Sequence, residues 1–574
     1  MHDERQLIAR HGYSRAWLVQ SDASFSAEQK PVKYMLVQRP DLPPCTIDLS
    51  STKLHGKVYS DGEFGCLKFS PDGSHLAFVA EQYRPKPKSF LDTSDDAEGR
   101  GDQFLSLPDW GEQLTGKHKS VVVVVPVDGD GTKDSDRVMM TPPEWCAGIG
   151  QLQWTGPQEL VAVAYVDASP RLGLIYCPIR EAVLLHVSLT EKKFTELTPR
   201  GEWVGSPRLD PTGEALVYLR GPVGGPHVRE AQLVSRPWGP QPLLDIVPPA
   251  VVIDYHQEEQ VLQDGSLFAG LTGASVVPER CFLAPHQLVF STTARFATQT
   301  YVVDIKSKLV EALKAPLTGS VTALDVADGR VLLGHSTLTV SASLHLLPKM
   351  YPCICIPLVD GCRLAEVAED WLDTWLLADP PSHPDPAYNS VPVPVLYCGP
   401  TQPTAGAKRP LVSLLHGGPH SAYTNSFYML VGALVGAGYS VVMPNYRGSL
   451  GVGAAGIHSL PGYVGSLDTG DCHAAVLECL KRYNSVLDER NVFLCGGSHG
   501  GFLVTSLAGQ YPDFYCAVST RNPVTDVATM ASITDIPDWW LLVHVYPDCH
   551  PLRKVDVEVD TLIHTINWFE QHKR

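Results

Sequence analysis

The tightest constraint on the fold comes from residues 492–510. An apolar run, Val492 to Cys495, enters Gly496-Gly497-Ser498-His499-Gly500-Gly501-Phe502, and a helix-forming stretch follows. A Gly-x-Ser-x-Gly in that strand–turn–helix setting demands a turn so tight that the serine backbone is strained and its oxygen stands clear above a sheet edge. Gly496 and Gly500 flank Ser498 because a side chain at either position would collide across the turn. Gly501 removes a further obstacle between helix and strand. The competing reading is a glycine-rich turn with an incidental serine. The strand before it, the helix after it and a histidine late in the chain tell against that.

One such turn does not use 574 residues, and a chain of this length predicts two or more domains. With 44% apolar and 19% charged residues the composition is globular. A net charge of −17 and a pI near 5.6 exclude a general nucleic-acid or anionic-membrane surface. The fourteen cysteines are scattered and contain no Cys-x-x-Cys, so neither a zinc site nor a disulfide framework is indicated. The start, Met1-His2-Asp3-Glu4-Arg5, lacks the apolar core of a signal peptide, and the run Val121–Val127 is too short to span a bilayer. The expectation is a cytoplasmic protein with no membrane and no nucleic-acid partner.

Residues 1–375 are rich in glycine, proline and β-branched residues, and one hairpin pattern recurs. Phe69-Ser70-Pro71-Asp72-Gly73-Ser74-His75 and Leu209-Asp210-Pro211-Thr212-Gly213-Glu214-Ala215 are full copies; Trp154–Val163 and Phe282–Phe290 are looser ones. Proline presets the first turn angle, aspartate bonds back to the backbone and glycine takes the positive φ. Irregular spacing of about fifty to eighty residues predicts propeller blades with loop insertions. An ordinary β-sandwich is the alternative. Lys88–Gln113 is expected to be a solvated insertion.

Residues 376–408 read as a proline-rich linker, with Val391-Pro392-Val393-Pro394-Val395 fitting only an edge strand or connector. From 409 to 574 short apolar strands alternate with helices, the pattern of a mostly parallel sheet. Strands are predicted at Leu411–Leu415, Ser440–Met443, Val492–Cys495, Tyr515–Ser519 and Leu541–Val545, and helices at Phe427–Gly436, Asp468–Tyr483 and Gly500–Gln510. Val559, Leu562, Ile563, Ile566 and Phe569 share one face of a last helix.

Three groups gather where such strands end. Ser498 is the first. His416-Gly417-Gly418-Pro419-His420 follows a strand, where glycine N–H groups of Gly417 or Gly418 can face a developing oxyanion, with the N–H of His499 as second donor. His550, in a strand-to-helix loop near the C-terminus, sits where a general base belongs. Arg447, at the end of the second strand, either binds a substrate carboxylate or braces its turn; bracing is the simpler role.

Together His416–His420, Asn445-Tyr446-Arg447-Gly448-Ser449, Gly496–Phe502, Arg521-Asn522-Pro523-Val524 and Thr534-Asp535-Ile536-Pro537-Asp538-Trp539 resemble the prolyl oligopeptidase family of serine peptidases, and within it the acylaminoacyl-peptidase branch. The Gly101–Phe104 and Asp109–Glu112 patches are similar to that branch as well. The resemblance implies a β-propeller capping an α/β-hydrolase domain, release of N-acetylated amino acids from blocked peptides, no cofactor and no metal, and a cytosolic homo-oligomer. It also implies Ser498 as nucleophile and His550 as base.

The same resemblance exposes two departures. The family's order is Ser…Asp…His, with the aspartate on a strand–helix unit of its own. Only 52 positions separate Ser498 from His550, and that unit is expected to be missing near Trp539-Trp540. Asp526, Asp535, Asp538 and Asp548 lie between the two and none fits as a substitute, so no triad aspartate is identified. Before Lys33 no helical segment is evident and only four blade signals are found, so an incomplete propeller is expected. Two other readings follow: a catalytically impaired propeller protein that binds peptides or an oligomer partner, and an α/β-hydrolase esterase.

Overall fold

In a computed structural model the Pro-Asp-Gly turn at residues 71–73 forms as its residue types require. Asp72 Oδ1 accepts from the Ser70 hydroxyl at 2.5 Å and the Ser74 backbone N–H at 3.1 Å, and Gly73 takes φ +74°. The Ser70 and Ser74 hydroxyls hold the Asp72 carboxyl down at about 2. Asp210 repeats the turn, and its second oxygen accepts from the His286 N–H at 2.9 Å, tying one hairpin to the next sheet. The structure describes residues 8–11, 14–20, 33–40, 42–49, 53–85, 87–91, 100–127, 137–239, 248–348, 354–364, 371–403, 408–525, 534–537 and 555–574.

All four predicted hairpins are present: Leu67–Phe69 with His75–Gln82, Cys146–Gly156 with Glu159–Val166, Glu202–Leu209 with Ala215–Pro222, and Phe282–Ala284 with Gln287–Ala294. Each belongs to a sheet of four or five antiparallel strands, mostly in chain order. Two further four-stranded sheets flank them, Ile8–Asp48 and Ser320–Val359, so the described residues hold six blade-like sheets against four signals. The last uses a different turn: Asp328 (φ +50°) and Gly329 (φ +67°) join Ala327 to Arg330, an Asp-Gly hairpin of the left-handed type. Apolar residues pack between successive sheets, as Val37, Phe78 and Val123 do between the first two and Val289, Leu333 and Leu347 between the last two.

Most described residues of the 88–113 insertion are exposed, as a solvated loop requires, Phe90, Leu91, Phe104 and Leu105 among them, but Trp110 anchors it. Trp110 is buried against Phe64 and Tyr165, and Asp109 caps its loop through the N–H groups of Gly111 and Gly116.

The second domain is a six-stranded sheet. Its strands are β1 (Leu372–Leu376), β2 (Pro394–Cys398), β3 (Arg409–Leu415), β4 (Ser440–Pro444), β5 (Leu487–Gly497) and β6 (Ala517–Arg521), in the order β1-β2-β4-β3-β5-β6. β1, β2 and β4 pair antiparallel and β4-β3-β5-β6 run parallel. The strand expected within 391–395 as an edge or connector is β2 and is interior, while β1 forms the edge; residues 377–393 between them lie in no strand. Pro394 is tolerated because it opens the strand, where it needs no N–H, and its carbonyl accepts from Asn445 N–H at 2.7 Å. Helices α1 (Met429–Gly436) and α4 (Val555–Gln571) cover one face; α2 (Leu467–Arg482) and α3 (His499–Gln510) cover the other. Among the described residues no helix is long and apolar enough to cross a membrane.

The domains meet through polar contacts as well as Leu338 and Phe296. His458 of the second domain pairs with Glu230 of the first at 2.8 Å, and Asn425 Oδ1 accepts from Leu338 N–H at 3.0 Å. Burial alone would raise the Glu230 carboxyl, but His458 and Arg229 outweigh it and hold it at about 2.

Candidate active site

β5 is the strand that delivers the serine. Val492–Cys495 are buried between two parallel neighbours, so the chain must leave the sheet at its carboxyl end, and it does so at Ser498 with φ +57° and ψ −124°. Positive φ in a serine is strained and is held here by its surroundings. A Cβ on Gly496 would lie 2.4 Å from Gly500 O, and one on Gly500 only 2.2 Å from Leu415 O. One on Gly501 would lie 2.6 Å from Thr520 Oγ1. The glycine pattern is thus a requirement of packing. Ser498 N–H donates to Arg521 O at 3.1 Å, fixing the turn to β6.

The turn after β3 lies against the serine from the other flank. A Cβ on Gly417 would stand 3.1 Å from Ser498 Cβ and 3.7 Å from its Oγ, so Gly417 is in contact with the candidate nucleophile. Gly418 has φ +120° and admits no side chain, a Cβ there lying 2.8 Å from His420 N. His416 anchors this turn: its Nε2 lies 2.9 Å from Ser449 Oγ, its ring stacks on Tyr446 at 4.3 Å, and Tyr446 OH donates to its carbonyl at 2.8 Å. Burial pushes the His416 imidazole down to about 4 and that of His420 to about 3, so both are neutral near pH 7. His227, from the first domain, lies 5.1 Å from His420 ring to ring and is pushed down by burial too.

His499, immediately after the serine, is fully buried. Its Nε2 lies 2.9 Å from Asp468 Oδ2, itself fully buried at the start of α2. Sequence reasoning missed this pair, because an aspartate in the first turn of a helix is ordinary capping chemistry. It does not supply a triad: the remaining ring nitrogen, Nδ1, makes no hydrogen bond to Ser498 or to any other group among the described residues.

Arg447 is committed. Its Nε and Nη2 reach Asp471 at 2.9 and 2.6 Å, Nη2 also donates to Pro381 O at 2.7 Å, and the side chain is 1% exposed. That geometry is bracing, the simpler of the two roles expected for Arg447. Asp535 is committed as well, accepting from Glu112 N–H at 2.8 Å in the first domain, with Ile536 buried beside it. Asp513 lies in the turn beyond the far end of α3. His550, Asp526, Asp538, Asp548 and the expected strand Leu541–Val545 fall outside the described residues. Among the described residues no three His, Cys, Asp or Glu side chains gather as metal ligands.

A serine at a strained turn after the fifth strand of a 1-2-4-3-5-6 sheet is the arrangement of the α/β-hydrolases. Residues 425–550 match the prolyl oligopeptidase family, and residues 44–220 match the N-terminal domain of acylamino-acid-releasing enzymes. The acylamino-acid-releasing enzyme of Rattus norvegicus is 32% identical over 569 residues, covering 94% of this chain and 75% of the rat protein. The Homo sapiens enzyme of that name is 32% identical over 544 residues, covering 90% and 71%. Among solved structures, Pyrococcus horikoshii acylaminoacyl peptidase has the same fold, with a TM-score of 0.58 at 14% identity over 99% of this chain and 84% of that one. The chain belongs to the acylamino-acid-releasing enzyme family, a serine-hydrolase branch of the prolyl oligopeptidases.

Proposed function

We propose that this chain hydrolyses the bond joining an N-acylated residue to the rest of a short peptide, through an ester on Ser498. The observation that carries the reading is the strained Ser498 with Gly417 against it, between glycines that exclude every side chain. Ser498 Oγ attacks the acyl-aminoacyl carbonyl while His550 takes its proton. The oxyanion is held by the N–H groups of His499 and of Gly417 or Gly418. His550 returns the proton to the leaving amine, and water then cleaves the ester. A solved acylaminoacyl peptidase carrying a peptide chloromethyl ketone and sharing this fold supports the substrate class.

Turnover is expected to be slow. With 52 positions between Ser498 and His550, we read the strand–helix unit bearing the triad aspartate as missing, and Asp535 is engaged with the first domain. Loss of the orienting carboxylate costs about 10⁴ in turnover in a well-characterised triad. That engagement also favours the second reading, a catalytically silent peptide-binding or oligomer partner. Hydrolysis of acetyl-alanyl anilide by the full chain, slow and lost in Ser498→Ala, supports the peptidase. Folded protein with no Ser498-dependent turnover leaves the silent reading, and faster cleavage of simple esters than of acyl-peptides would indicate an esterase.

A further inference from the structure

Arg521 is the last residue of β6 and pairs in register with Gly497. Its Cα thus sits one strand spacing, about 4.8 Å, from the residue before the nucleophile. Its carbonyl takes the Ser498 N–H at 3.1 Å, so the backbone that carries it is fixed to the elbow. The side chain is exposed at the carboxyl edge of the sheet, and its Nε lies 3.8 Å from where a Gly497 Cβ would be. Two groups of the site feel its charge, the half-buried Tyr423 and the buried Cys495. Burial pushes up the Tyr423 hydroxyl and the Cys495 thiol, and Arg521 is among the groups pulling each back. Tyr423 packs edge-on against His416 at 5.6 Å, so one of the groups that feel this charge also borders the oxyanion turn.

Unlike Arg447, the Arg521 guanidinium has no acidic partner and makes no hydrogen bond among the described residues. A cation without an acidic partner among the described residues, at the strand end beside Ser498 in a protein of net charge −17, is a local attractor for an anion. Its planar fork matches a carboxylate, which it grips through two parallel N–H donors. An N-acylated peptide has lost its amino charge, and the charge every short one keeps is its C-terminal carboxylate. β3 and β6 flank β5 on opposite sides, so Arg521 and the Gly417 turn bracket Ser498.

Resting on the proposed peptidase reading, we infer that Arg521 binds a carboxylate on the leaving side of the scissile bond. The substrates it selects are N-acyl peptides ending one or two residues beyond that bond, since each further residue moves the carboxylate away by about 3.5 Å.

The test measures binding to the full chain carrying Ser498→Ala, which holds substrate uncleaved. The probes are acetyl-alanyl-alanine as free acid, its C-terminal amide, and acetyl-alanyl-glutamate diamide, whose side-chain carbonyl is uncharged. Adding acetyl-alanyl-glutamic acid α-amide separates a side-chain carboxylate from a terminal one. The free acid is expected to bind about fivefold more tightly than its amide. In Ser498→Ala/Arg521→Gln that ratio falls to one at unchanged melting temperature, and Arg521→Lys restores part of it. Preference for the side-chain acid over the terminal acid would reassign the source of the carboxylate and overturn the length selection. An acid-to-amide ratio that survives Arg521→Gln overturns the role of Arg521 and leaves the peptidase reading intact. Failure of all four peptides to bind overturns both.

Discussion

His499 Nε2 lies 2.9 Å from Asp468 Oδ2, with both side chains fully buried. The other Asp468 oxygen accepts from the N–H groups of Gly465 at 2.7 Å and Thr469 at 2.9 Å. One carboxylate therefore ties the start of α2 to His499, whose N–H is the proposed second oxyanion donor. Removing it strands a buried imidazole and two backbone donors. Asp468→Ala is expected to cost about 3–5 kcal/mol in urea unfolding. Asp468→Asn keeps the backbone bonds and should lose less stability, while still slowing covalent labelling of Ser498.

Gly500 offers a sharper test of the elbow. With Leu415 O 2.2 Å from its virtual Cβ, no rotamer relieves an added methyl, because the obstacle is backbone. Gly500→Ala is expected to abolish labelling of Ser498 and lower the melting temperature. Gly509→Ala, on the same helix with nothing within 4 Å of its Cβ, is expected to be neutral or slightly stabilising.

Arg447 separates bracing from binding. Arg447→Ala leaves Asp471 buried without its partner, at about 3–5 kcal/mol. Lysine cannot reproduce the two-pronged contact and should rescue little. Where folded protein is recovered, its affinity for N-acyl peptides should match that of the parent chain.

Acid sensitivity follows from the buried histidines. His416, His420 and His227 are all held below 6.5 in the folded chain, the first two at about 4 and 3. Below pH 6.5 the unfolded chain takes up protons that the folded chain refuses. Stability is therefore complete above that pH and falls as pH drops toward 4. Each group contributes up to about 1.4 kcal/mol per pH unit. Unfolding free energies measured from pH 7 to 4 should show this slope, and His227→Phe should reduce it by one proton's worth.

The hydrolase elements were readable because each pairs a short apolar run with a glycine or helix boundary. β6 is displaced by two residues, from the expected Tyr515–Ser519 to Ala517–Arg521. Tyr515 and Cys516 are apolar, but the ladder to β5 continues through the polar Thr520 and Arg521, which the hydrophobic pattern does not mark. That displacement places Arg521 beside the serine. On α4, Phe569 is buried as expected, its ring tilted against that of Phe493 at 4.7 Å, while Val559 and Ile563 are 40% and 51% exposed. The helix meets the sheet through its C-terminal half, and periodicity reports a face without saying what covers it. Partners distant in sequence were invisible: nothing local links His458 to Glu230, or Asp535 to Glu112.

The central claim is that Ser498 is a presented nucleophile. Treatment of the folded full chain with a fluorophosphonate, followed by intact-mass and peptide analysis, tests it directly. One adduct located on Ser498, and absent from Ser498→Ala, is the predicted result. Folded protein that takes no adduct, or takes it at another serine, would contradict the account.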